Sequence, residues 1–169
     1  MREYLRHFAD SGIGSATPIK VGSMLRDWLR CVGGDVADEL IGLAAGSQIA
    51  PELIIAIDAR TENIATATAA SECSTVAEEE GLPAWLVQNW DWYPGFRGSR
   101  LLWIARLRGM RWRATFTEVG TLAKIGINSD RVDVGLNLLH SPRGASGVPY
   151  RFTCCCARRW IEAERRIRR

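Results

Sequence analysis

The stretch Ser71-Glu72-Cys73-Ser74-Thr75-Val76-Ala77, followed by Gln88-Asn89-Trp90-Asp91-Trp92, holds residues whose types and spacing suit covalent chemistry. A thiol becomes a nucleophile only when a base or a positive field makes thiolate available. Histidine is the usual base, and the two here are His7 and His140. Neither lies in an evident pairing context, so a Cys-His dyad stays open without sequence support. A second route is internal to Cys73. If the Glu72–Cys73 peptide bond is cut, Cys73 gains an α-amine, whose pKa of about 7.7–8.0 lets it accept the thiol's proton. The thiol can make that cut itself, by attacking the preceding carbonyl to give a thioester that water hydrolyses. On an extended segment from Ala84 to Trp92, the period of two puts Trp85, Val87, Asn89 and Asp91 on one face. An amide and a carboxylate would then point the same way, available to the amine and to polar groups of a substrate.

Each of these residues also has a plainer role. Cys73 alone reads as a small buried hydrophobe. Asn89 and Asp91 alone read as turn formers at a strand end, and Trp90 and Trp92 as core or pocket wall. Arg60 and Glu62 read as an ion pair or as substrate contacts. Asn128 and Asn137 read as fixers of turns and strand ends, and His140 as a loop histidine.

The elements that must position this chemistry follow from periodicity. Met1 to Ala9 is a helical turn or a ragged start, ended by Gly12-Ile13-Gly14. Thr17-Pro18 opens a helix whose Val21, Met24, Leu25, Trp28 and Leu29 form one apolar stripe, stopped by Gly33-Gly34. Asp35 caps a second helix through Val36, Leu40, Leu43 and Ala44 to Gly46. Pro51 starts a third, through Leu53, Ile54 and Ile57 to Ala65. Short aromatic and β-branched runs follow: 74–77 and 84–92 around a turn at 78–83, then 101–107, a turn at Gly109, a strand alternating Trp112, Ala114 and Phe116, and 122–127. Val132, Val134, Leu136 and Leu138 alternate with polar or small residues, which predicts a half-buried strand. Residues 93–99 and 141–147 read as loops. A helical layer followed by an antiparallel sheet is an α+β plan.

With 169 residues, 47% of them hydrophobic, the chain suits one domain with one core. The net charge is +3, but Ala157–Arg169 carries six arginines and two glutamates, +4, which leaves the rest at −1. That body has no nucleic-acid-type field, and the basic tail reads as a solvated end. No run approaches the roughly 18 apolar residues of a membrane span, and Met1-Arg2-Glu3-Tyr4 begins no secretory signal. Five cysteines, Cys31, Cys73 and the consecutive Cys154-Cys155-Cys156, show no C-x-x-C spacing for zinc and fit a reducing compartment. The expectation is a cytoplasmic protein with no metal.

Six short motifs in order carry a resemblance: Asp58-Ala59-Arg60-Thr61-Glu62, Glu72-Cys73-Ser74-Thr75, Gln88-Asn89-Trp90-Asp91-Trp92, Lys124-Ile125-Gly126-Ile127-Asn128-Ser129, Gly135-Leu136-Asn137-Leu138-Leu139-His140-Ser141 and Gly147-Val148-Pro149. Over residues 35–152 the chain resembles the peptidase C45 family, the penicillin-acyltransferase-like branch of the N-terminal nucleophile hydrolases. The resemblance implies an αββα sandwich, self-cleavage before the cysteine, and acyl transfer or amide hydrolysis through an acyl-cysteine. It gives Cys73 the nucleophile's position and Asp91 that of the nearby aspartate; Asn89 and Trp90, in the same motif, are the candidate substrate contacts. It implies no cofactor, acyl-coenzyme A as a co-substrate, a small-molecule acyl donor and an amine or amide partner, and cleavage fragments that stay associated.

On this reading residues 1–152 are a single incomplete domain, with 1–72 a helical pro-segment and 73–152 the start of the nucleophile-bearing part; 153–169 is a basic tail foreign to the family. Two departures stand out. Glu72 replaces the glycine common before the family's cysteine, and nothing family-like follows Phe152. A truncated or frameshifted gene product is therefore expected, and with it the alternative of an inactive remnant that at most binds a partner.

Overall fold

The computed structural model describes residues 1–32, 35–60, 73–78, 85–106 and 111–137. These gather into two compact units: residues 1–60 with 120–122, and residues 73–119 with 123–137. Helices come first and antiparallel strands after, the α+β order that periodicity predicts.

The first unit holds α1 (Arg2–Asp10), α2 (Ala16–Val32), α3 (Asp35–Ser47) and α4 (Pro51–Asp58). The start of the chain, which the sequence left between a turn and a ragged end, is helical because Tyr4 and Phe8, one turn apart, both bury. In α2 the buried positions include Pro18, Val21, Leu25 and Leu29, one face of the helix, while Met24 at the edge of the stripe stays 54% exposed. Proline at the first position of α4 costs nothing, since that N–H has no helical acceptor. Ile54, Ile55, Ala56 and Ile57 are all buried because α4 packs against both α2 and α3. Gly22 permits the α2–α4 approach: a Cβ there would collide with the backbone of Glu52. The Arg26–Glu52 ion pair spans the same contact. The third predicted helix was carried to Ala65; α4 ends at Asp58, and residues 61–72 lie outside the described ones.

The second unit begins with a hairpin of β1 (Ser74–Glu78) and β2 (Trp85–Asn89), paired from Ser74↔Asn89 to Glu78↔Trp85. Pro94–Ser99, read as loop, is a 3₁₀ helix that buries Phe96. A four-stranded antiparallel sheet follows in the order β3 (Arg100–Arg106), β4 (Trp112–Glu118), β5 (Ile125–Asn128), β6 (Asp133–Val134). Gly126 in β5 fits against β4 only without a side chain, because a Cβ would strike the Ala114 carbonyl. Asn128 closes the β5–β6 turn, its side-chain oxygen accepting from the Asp130 and Val132 amides at 3.0 Å each. That is the turn-fixing role read for it.

Two strand expectations shift. The strand expected at 122–127 pairs only from Ile125, and residues 121–124 are buried without strand geometry. Among its described residues, 132–137, the alternating run pairs as a ladder only at Asp133 and Val134. Beyond them the backbone of Leu136 bonds a side chain, as described below.

The turn at 78–83, the turn at Gly109, the 141–147 loop, His140, Glu72, the cysteine triplet and the tail fall wholly or mainly outside the described residues. No helix among the described residues is long and apolar enough to cross a membrane.

Candidate active site

Cys73 immediately precedes β1, and one step beyond the Ser74↔Asn89 pair brings it beside Trp90. Its Sγ lies 3.6 Å from the backbone carbonyl of Asp91, a contact in which the thiol donates. Cys73 is half-buried and forms no disulfide. Asn89 and Asp91 point the same way, as the period of two requires: Asn89 Nδ2 donates to Asp91 Oδ2 at 3.2 Å. The end of the hairpin thus brings the thiol to the backbone of Asp91, 18 residues on, while the Asn89 amide and the Asp91 carboxylate pair with each other. Asp91 meets Cys73 through its carbonyl; its carboxylate is exposed and bonded to Asn89.

Trp90 and Trp92 separate in role. Trp90 is half-buried and stands edge-on to Phe116, ring centroids 5.5 Å apart. The Arg100 guanidinium covers it at 5.5 Å and donates to the Trp92 carbonyl at 3.4 Å. Trp92 packs against Tyr93, and its ring lies 5.4 Å from the ammonium of Lys124, which is 3% exposed. A ring face is one of the few apolar surfaces that offsets the cost of burying a cation. Arg113, also buried, uses the ring of Trp103 at 5.2 Å in the same way.

Three residues tie the nucleophile's hairpin to the rest of its unit. Thr75 Oγ1 donates to Asn137 Oδ1 at 2.9 Å, and Gln88 Nε2 donates to the same atom at 3.2 Å. Gln88 also bonds both backbone groups of Leu136: Nε2 donates to the carbonyl at 2.7 Å, and Oε1 accepts from the amide at 2.7 Å. The side-chain amide does what a neighbouring strand's peptide unit would do, which is why the ladder of β6 stops early. Asn137 is a strand-end fixer, as read. Thr75 and Gln88 were not singled out by the sequence. The available signal was parity: Gln88 is a polar residue on the hairpin face of Leu86 and Trp90.

The remaining sequence candidates lie elsewhere. Arg60 is fully buried in the helical unit, 5.6 Å from the ring of Tyr4, and donates to the Ile57 carbonyl at 3.2 Å. That is a structural setting; Glu62 lies outside the described residues. His7 is also in the helical unit. Burial lowers its pKa below 6.5, the positive charge of Arg60 lowers it further, and Asp10 opposes both.

The sheet that follows the hairpin leaves an apolar face exposed and buries a polar one. Leu102, Ile104 and Phe116 are 65%, 62% and 37% exposed, while Arg113, Thr115 and Thr117 on the opposite face are buried. The exposed apolar face and the hairpin line a cleft of about 540 Å³. Among the described residues no group of three or more His, Cys, Asp or Glu side chains is placed to hold a metal ion. The chain matches no model of a known protein family.

Proposed function

We propose that this chain is an acyltransferase or amidohydrolase that works through an acyl-cysteine on Cys73, as its motif resemblance to the peptidase C45 family implies. One observation supports this most: Cys73 lies at the end of the hairpin with its thiol 3.6 Å from the backbone carbonyl of Asp91, whose carboxylate is held by Asn89.

Activation comes first. The Cys73 thiol attacks the Glu72 carbonyl carbon, and the acyl group moves from nitrogen to sulfur. Water then hydrolyses this thioester, leaving a Glu72 carboxylate and a free Cys73 α-amine. In turnover that amine takes the thiol proton, and the thiolate adds to the carbonyl of a thioester or amide. Collapse expels the thiol or amine leaving group, which carries the proton away, and the acyl group stays on sulfur. An incoming amine or water takes the acyl group and returns the proton to sulfur. Asp91 orients the ammonium form of the amine and offsets its charge, and Asn89 holds that carboxylate in place.

Intact-mass measurement tests this. The wild-type protein should yield two fragments that meet between Glu72 and Cys73, and Cys73→Ala should remain one chain. An acyl thioester should then add one acyl group to the fragment that begins at Cys73, and a primary amine should remove it. A single uncut chain that takes up no acyl group would establish the inactive remnant instead.

A further inference from the structure

Asp91 sits where the ladder of the hairpin has run out. The last pair is Ser74↔Asn89, and residues 90–93 belong to no helix or strand. The peptide that meets the Cys73 thiol therefore has no neighbouring strand to keep it in place. Asn89 holds the Asp91 carboxylate, not its backbone.

That backbone is gripped from β3. Arg100, half-buried at the first position of the strand, covers the ring of Trp90 at 5.5 Å and donates from Nη2 to the Trp92 carbonyl at 3.4 Å. One side chain thus holds both neighbours of Asp91. A guanidinium suits the two tasks, because its plane can face a ring while the N–H groups on its edge donate. The 3₁₀ helix Pro94–Ser99 folds the chain back so that Arg100 reaches Trp92 across eight residues. Buried Phe96 holds that turn, its carbonyl accepting from the Ser99 hydroxyl at 2.9 Å. Both gripped residues are also backed: Trp90 stands against Phe116, and Trp92 against Tyr93 and buried Lys124. We infer that Arg100 is a positioning residue for the acyl transfer: it holds Trp90 and Trp92, and so fixes Asp91 beside Cys73. This rests on Cys73 being the nucleophile.

Arg100→Met keeps an unbranched stem and removes the grip. Acyl-Cys73 formation from an acetyl thioester, followed by intact mass, should slow roughly tenfold, within the range for displacing a reacting group by about 1 Å. Two readouts separate positioning from a general loss of stability. Added to Asp91→Asn, Arg100→Met should cost less than about a further twofold, because both remove one contribution; independent effects would multiply. The second readout is the acid limb of the pH–rate profile, set by the Cys73 amine, which acts as a base only when neutral. Asp91 favours the ammonium form, so releasing Asp91 moves the limb to lower pH, whereas deleting a nearby cation alone moves it higher. Arg100→Met should move it lower, as Asp91→Asn does. Losses that multiply, a limb that rises or stays, or a wild-type rate in Arg100→Met overturns the inference. Should Arg100→Met fail to fold, Arg100→Lys keeps a cation for Trp90 without the fork, and the same readouts decide. If no thioester acylates even the wild type, the nucleophile reading fails. Alkylation of Cys73 by iodoacetamide, located by peptide mass, then decides the positioning alone. Releasing the Asp91 carbonyl frees the thiol, so Arg100→Met should be alkylated at least about threefold faster. An unchanged or lower rate removes Arg100 from this role.

Discussion

Asp91 carries a charge and an acceptor geometry, and substitution separates the two. Asp91→Asn keeps an oxygen for the Asn89 amide but removes the charge that would face the Cys73 amine. Asn89→Ala keeps the charge and removes its anchor. If the carboxylate's work is electrostatic, Asp91→Asn should slow acyl-Cys73 formation by roughly 100-fold, the lower range for groups that assist proton transfer. Asn89→Ala should cost less than about tenfold, because an exposed hydrogen bond is worth roughly 1 kcal/mol. Equal losses would move Asn89 from anchor to substrate contact. His7 supports a second prediction. Its folded pKa lies below 6.5, so the folded chain prefers the neutral ring. Above 6.5 neither folded nor unfolded chain binds the proton, and stability does not depend on this group. As pH falls through that value the unfolded chain protonates first, and stability declines until the folded pKa is passed. Urea midpoints measured from neutral to mildly acidic pH should therefore fall less steeply in His7→Gln than in wild type; parallel slopes would assign the acid sensitivity to other groups.

At the scale of elements, what the sequence disclosed depended on whether the backbone or a side chain completed the hydrogen bonds. Apolar spacing announced α2, α3 and the start of α4, and parity put Asn89 with Asp91. The end of α4 and the short β6 were not legible. The Val132–Leu138 alternation is that of a strand, yet the partner of Leu136 is a glutamine side chain 48 residues away. Alternation reports which side chains bury and is silent about what the peptide groups bond. Which face of the sheet buries was not legible either: the alternation of Trp112, Ala114 and Phe116 marks a strand, while Thr115 and Lys124 are buried, with the Thr115 hydroxyl donating to the Ile125 carbonyl at 2.9 Å and accepting from the Lys124 amide at 3.2 Å. Buried polar atoms that find partners do not appear in a hydropathy pattern. The clamp on Leu136 can be measured. Gln88→Ala leaves an amide and a carbonyl of half-buried Leu136 without partners, a loss of about 1–3 kcal/mol. The Leu136 amide should exchange with solvent distinctly faster, while amides of the β3–β4 ladder slow or hold. Unaltered Leu136 exchange would mean that the clamp contributes only geometry.

For the whole molecule, the division into units does not follow the division of the chain. The helical unit takes residues 120–122 from the far side of the proposed cut. Thr121 and Leu122 are 2% and 1% exposed, and the Leu122 amide donates to Asp58 Oδ1 at 2.9 Å in a fully buried bond across 64 residues. Cleavage between Glu72 and Cys73 would therefore separate two polypeptides while leaving this anchor of the second inside the unit built by the first. The fragments should remain one particle in native buffer, co-eluting on size exclusion and parting only in denaturant. Asp58→Ala removes the acceptor and leaves the Leu122 amide buried without one, at a cost of about 1–3 kcal/mol. In the cleaved protein that loss should appear as dissociation at lower urea and as faster exchange at Leu122. In the uncut Cys73→Ala background the same substitution should lower the midpoint of unfolding without releasing anything. If the cleaved Asp58→Ala protein co-elutes and unfolds as the cleaved wild type does, segment 120–122 is not what joins the fragments.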